Sequence, residues 1–196
     1  MQHISDWNEL RDKIHTNAVE HGFWENNPSP EHFLCLVISE LMESVEAHRK
    51  SKHADINSFE KRIDEPISKH EAATPVERLR YWFNSYIKDS VEDELADAVI
   101  RILDLAGGIK VSLSSLYDSP TVLDSLSHIS NRNSFTENIY TVVRFITCEM
   151  DLSFRLTIAL RMIEAITELN DIDLAWHIEN KIFYNAYRSY KHGKMY

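Results

Sequence analysis

The chain has 196 residues, a formal net charge of −10, four glycines, five prolines and two cysteines. That length fills one sizeable core without requiring a second domain, and the acidity excludes a nucleic-acid surface, which needs clustered Lys and Arg. It leaves room for a single nucleotide, because a divalent cation reverses the local field where phosphates dock.

Ile4, Trp7, Leu10, Ile14 and Ala18 recur at three- and four-residue steps and predict a first amphipathic helix over about 3–20, ending near Gly22. After a loop rich in Asn and Pro, a second helix is predicted from Ser29, with Pro30 in its first turn, through Phe33, Val37, Leu41 and Val45 to about Lys52. Residues 53–74 are polar and weakly periodic and read as a mobile insertion with one short helix. A helix over about 75–88 follows, then another from about Asp89 to Ala106, stopped by Gly107-Gly108. A Ser-rich stretch with a short helix near 121–129 leads to helices at about 135–149, 152–169 and 172–188. With few Gly or Pro and no alternating runs, the expected fold is all-α, a single domain over 1–196. Cys35 and Cys148 sit in apolar helical runs and read as buried, reduced thiols. No apolar run approaches the roughly 18 residues of a membrane span, and the N-terminus lacks a signal-like pattern, so a cytoplasmic protein without membrane association is expected.

The chemistry is written in two acidic repeats, Glu40-Leu-Met-Glu43 and Glu94-Leu-Ala-Asp97. Residues three apart on a helix differ by about 60° around its axis, so each pair projects from one side beside leucines that face the core. Packed side by side, the helices would gather four carboxylates, repelling by about 3 kcal/mol per pair at an effective dielectric of about 20. Divalent cations remove that cost, and an all-oxygen set suits Mg²⁺, with Mn²⁺ as a substitute. Competing chemistries lack their residues: no glutamate has a histidine three positions on, as a di-iron bundle needs, and there is no His-Asp dipeptide and no P-loop. Near the C-terminus, Lys181, Asn185 and Arg188 recur at four and three residues and share a helix face suited to phosphate oxygens, with Lys191 beyond them.

Taken together, these blocks resemble the MazG-like all-α nucleoside triphosphate pyrophosphohydrolases, whose signature is Glu-x-x-Glu, a spacer, then Glu-x-x-Asp. The segment Lys181-Ile-Phe-Tyr184-Asn185-Ala-Tyr-Arg188 looks like that family's phosphate-binding helix, and His21-Gly-Phe-Trp24 like the loop before its first metal helix. The spacer from Glu43 to Glu94 is longer than usual, and Ser189 stands where a proline is common. The resemblance implies a helical bundle of that type with extra helices, cleaving a nucleoside or deoxynucleoside triphosphate to monophosphate and pyrophosphate by water attack at the α-phosphorus. Glu40, Glu43, Glu94 and Asp97 would hold Mg²⁺, Glu43 or Glu40 would accept the proton, and Lys181, Asn185, Arg188 and Lys191 would bind phosphates. Trp24 would stack on the base, His15 would bond its edge, and Tyr184 would pack or touch the sugar. The family also implies a homodimer or homotetramer, for which the apolar helices between Phe135 and Leu169 offer a surface. The competing expectation is a non-catalytic, metal- and nucleotide-binding helical regulatory or interaction protein.

Overall fold

The structure, a computed structural model, describes residues 4, 6–67 and 74–188. It is all-helical over these residues: α1 Trp7–Glu20, α2 Pro30–Arg49, α3 Ile56–Arg62, α4 Pro75–Tyr86, α5 Val91–Gly108, α6 Leu113–Leu116, α7 Pro120–Ser125, a 3₁₀ turn Leu126–His128, α8 Phe135–Thr147, α9 Leu152–Leu169 and α10 Leu174–Ala186. None of these helices is long and apolar enough to cross a membrane.

Helix starts follow local chemistry. Ser29 and Ser90 accept from the third backbone N–H of α2 and α5, and Pro30 opens α2, where a missing N–H costs nothing. Thr74 with Glu77 and Ser134 with Glu137 form reciprocal capping boxes on α4 and α8. The central element is α5, packed against α1, α2, α9 and α10. Leu95, Ala98, Val99, Ile102, Leu103 and Ala106 have no exposed surface, so α5 is buried on nearly every face.

Several sequence expectations change here. Gly107 and Gly108 do not stop α5; they are its last two residues, and the turn falls to Ile109 and Lys110, the latter in left-handed backbone at φ 59°. The glycine pair is a seat for aromatic rings. A Cβ at Gly107 would lie 2.5 Å from the His15 side chain, and one at Gly108 would lie 1.9 Å from the Trp24 ring. The stretch expected to be a mobile insertion has its own core: Phe59 of α3 is buried with Leu79, Phe83, Ile87 and Tyr184 in a second apolar cluster, and residues 68–73 lie outside the described residues. Of the apolar residues between Phe135 and Leu169, Leu156, Ile158, Leu160, Met162, Ile163 and Ile166 are buried within the chain, whereas Tyr140 and Leu169 are exposed. Cys35 is exposed, on the outer side of α2 opposite Phe33 and Val37, and Cys148 is half-buried.

His177 on α10 is buried, and its Nδ1 has no hydrogen-bond partner. Burial, only partly opposed by Glu92 and Asp173, pushes its imidazole down to about 4. Between that value and the ordinary 6.5, the unfolded chain binds a proton that the native chain does not. Wild-type stability is therefore expected to lose an increment as pH falls from 6.5 towards 4. Urea unfolding at pH 7 and pH 5 checks this: His177→Leu should lose less stability than wild type over that interval, and equal losses would contradict it.

Candidate metal and phosphate site

Along α5, Glu94, Asp97, Arg101 and Asp104 follow at three-, four- and three-residue steps, so they occupy about 80° of arc and about 15 Å of axis. This polar stripe on a buried helix forms one wall of a cavity of about 830 Å³, open mouth included. Helix α2 contributes Glu40 and Glu43; α1 and the following turn contribute Ile14, Asn17, Ala18 and Phe23; the end of α10 contributes Ile182, Asn185 and Arg188. Its size lies within the range of small-molecule sites.

Packing of α2 on α5 brings carboxylate oxygens of Glu40, Glu43 and Glu94 within 4.8 Å of one another. Glu43 is exposed and accepts a hydrogen bond from Ser39 Oγ at 3.2 Å. Glu40 is buried, with Arg101 Nε 3.2 Å from its Oε1. Glu94 is 4% exposed, and among the described residues no hydrogen bond reaches its carboxylate. Burial first, then the charges of Asp97 and Asp93, push its carboxyl up to about 8, with Lys181 pulling the other way. A buried, unpartnered carboxylate facing two more is a poor arrangement for a bare protein and a good one for a cation. The donors are all hard oxygens, with no thiol or imidazole among them, which fits Mg²⁺ or Mn²⁺.

Asp97, the fourth expected ligand, lines the cavity but stands outside this trio, because its Oδ2 lies 2.7 Å from Lys181 Nζ. Lys181 is not placed as a phosphate donor. Its ammonium reaches under α5, 2.8 and 2.7 Å from the two oxygens of Asp93, and the residue is 3% exposed. Burial alone would push Lys181 down, yet the charges of Asp97 and Asp93 outweigh it and hold the ammonium well above its ordinary range. Asp93 also accepts the Asp89 backbone N–H at 3.0 Å, which ties the turn before α5 to the same knot. The signal in the sequence is a second acidic pair, Asp93 and Asp97, four apart on one helix face.

Of the other expected phosphate ligands, Asn185 and Arg188 do line the cavity, with Arg188 Nη1 3.4 Å from Asn185 Oδ1. Lys191 lies outside the described residues. None of the three expected base contacts reaches the cavity wall. Tyr184 is buried against Phe83, with ring centroids 4.4 Å apart, and donates to Asn84 Oδ1 at 2.9 Å. Trp24 stacks on Phe33 at 4.3 Å, and its Nε1 donates to Asp104 Oδ1 at 2.7 Å. His15 Nδ1 lies 3.0 Å from the same oxygen. In their place Asn17, Phe23, Arg101 and Asp104 line the wall, residues to which the sequence alone assigns no role. Asp104 and Arg101 continue the spacing of Glu94 and Asp97, and Phe23 lies in the His21-Gly-Phe-Trp24 segment, which are readable signals; Asn17 carries none. Comparisons with protein-family models, curated proteins and solved structures returned no match.

Proposed function

We propose that the chain is a divalent-cation-dependent nucleoside triphosphate pyrophosphohydrolase of the MazG-like all-α type, releasing a monophosphate and pyrophosphate. The observation that carries this reading is one cavity shared by a three-carboxylate cluster and the Asn185–Arg188 pair. A structural ion would need no phosphate-binding pair beside it. A cation held by Glu40, Glu43 and Glu94 supplies charge neutralisation and acidifies water there. Glu43 is the general base, because Glu40 is engaged by Arg101 whereas Glu43 is exposed and oriented by Ser39. Arg188 and Asn185 bind the leaving phosphates as guanidinium fork and amide donor. Lys181 holds Asp93 and Asp97 in place from behind.

Incubation with each common NTP and dNTP and Mg²⁺, followed by quantification of monophosphate and pyrophosphate, tests the reading. Stoichiometric release of both from at least one triphosphate is expected, and no release from any of them overturns it. Arg188→Ala should lower kcat/KM by about tenfold or more, the value of a charge-assisted hydrogen bond of about 1.5–3 kcal/mol. Unchanged kinetics would remove Arg188 from the site.

A further inference from the structure

Three lining residues of the cavity have no part in the phosphate chemistry. They are Asp104 of α5, Asn17 of α1 and Phe23. Asp104 is 3% exposed, and its two hydrogen bonds, from Trp24 Nε1 at 2.7 Å and His15 Nδ1 at 3.0 Å, both fall on Oδ1. With Asp104 as the acceptor of both bonds, the His15 tautomer assigned from this contact carries its proton on Nδ1. Oδ1 is thereby filled, and among the described residues no hydrogen bond reaches Oδ2. A buried carboxylate that lines the cavity and takes both donors on one oxygen leaves the other as an acceptor for a ligand.

The aromatic seat explains how this orientation is held. Gly107 and Gly108 let His15 and the edge of Trp24 lie directly on α5, and Phe33 stacks on Trp24. Asn17, lining the same cavity, has a side-chain amide with no hydrogen bond among the described residues and can donate as well as accept. Phe23 adds a flat apolar surface, with the Arg101 guanidinium 5.7 Å from its ring centroid. An acceptor about 15 Å along the α5 axis from Glu94, with an amide and a ring lining the same cavity, is suited to a heterocycle whose phosphates lie at the carboxylate end.

We infer that Asp104, positioned by Trp24 and His15, selects a nucleobase bearing an amino group beside a ring-nitrogen acceptor, the edge shared by cytosine and adenine; this rests on the triphosphate reading of the same cavity. The amino group donates to Asp104 Oδ2, and Asn17 donates to the adjacent ring nitrogen. Uracil and hypoxanthine present a carbonyl beside an N–H, so a carbonyl oxygen would face the carboxylate and leave two acceptors opposed. Sites that match a base edge reject the mismatched one by about 1–3 kcal/mol, or roughly five- to 150-fold.

The experiment compares kcat/KM for dCTP against dUTP and for ATP against ITP, in wild type and in Asp104→Asn. Wild type should favour the amino-bearing member of at least one pair by about tenfold or more. Asp104→Asn keeps a carbonyl for Trp24 and His15 but turns an NH₂ towards the cavity, so the preference should invert. His15→Leu, a change at a partly exposed position, removes one of the two donors fixing Asp104 and should lower the ratio severalfold, which keeps the test decisive if Asp104→Asn fails to fold. Turnover without amino-over-keto preference, or ratios unmoved in folded variants, overturns the inference while leaving the pyrophosphohydrolase reading intact. No turnover and no binding of any triphosphate overturns both.

Discussion

Lys181→Met is expected to destabilise the fold by about 3–5 kcal/mol, the cost of removing one member of a buried ion pair. In a chain of this length that is about 10 °C in Tm and a large share of the whole stability. The cost arises because Asp93 and Asp97 stay where they are. Both have oxygens within 2.8 Å of the same Nζ, and without the ammonium the buried Asp93 and the half-buried Asp97 face each other beside the buried Glu94. Their repulsion and desolvation would fall on the first turns of α5, the helix on which the core is built. Asp93→Asn added to Lys181→Met should recover part of the loss by deleting one of the uncompensated charges, the coupling expected of residues in contact. Thermal unfolding of the two variants checks this. A phosphate-binding role for Lys181, the expectation from its spacing with Asn185 and Arg188, makes the opposite forecast: an unchanged Tm and a raised KM.

That contrast shows which parts of the molecule local pattern reveals. The start of α2 was readable because its signals are adjacent, Ser29 before Pro30, and the structure adds two capping boxes of the same local kind, Thr74 with Glu77 and Ser134 with Glu137. Three of the four expected carboxylates come together as their spacing implies, since each pair belongs to one helix and the apolar stripes beside them make α2 and α5 meet. Asp97 is instead drawn to Lys181. What stayed hidden depends on partners far away in the chain. Lys181 bonds Asp93 across 88 positions and His15 meets Asp104 across 89, so neither role can be inferred from neighbours. Gly107-Gly108 looked like a helix stop because glycine is favoured there; its function as a seat needs the rings of His15 and Trp24, brought in by the packing of α1. Phe59 was invisible for a different reason: a single buried aromatic in a polar stretch makes no periodic pattern.

Glu94→Gln is expected to strengthen the metal-free fold and abolish turnover. Glutamine keeps the shape of the side chain but has no charge to desolvate, whereas Glu94 is held in a site that pushes its carboxyl up to about 8 from the ordinary 4.5. Between these values the native chain retains a proton that the unfolded chain has released, so this group's contribution to unfolding free energy falls as pH rises from 4.5 to 8. Denaturant unfolding at pH 5 and pH 8, without divalent cations, should show this loss in wild type and a smaller one in Glu94→Gln. The same proton links stability to the chemistry. A cation binding at pH 7 must displace it, so Mg²⁺ affinity should rise with pH up to about 8, and each binding event should release close to one proton. Calorimetric titration in two buffers of different ionisation enthalpy measures that number directly. Binding without proton release, or undiminished pyrophosphate production by Glu94→Gln, would remove Glu94 from the metal site. A residue that weakens the resting fold while its isostere cannot support turnover is the pattern expected where stability has been traded for a site. Lys181 is the complementary case, because its removal damages the fold itself and only through it the site.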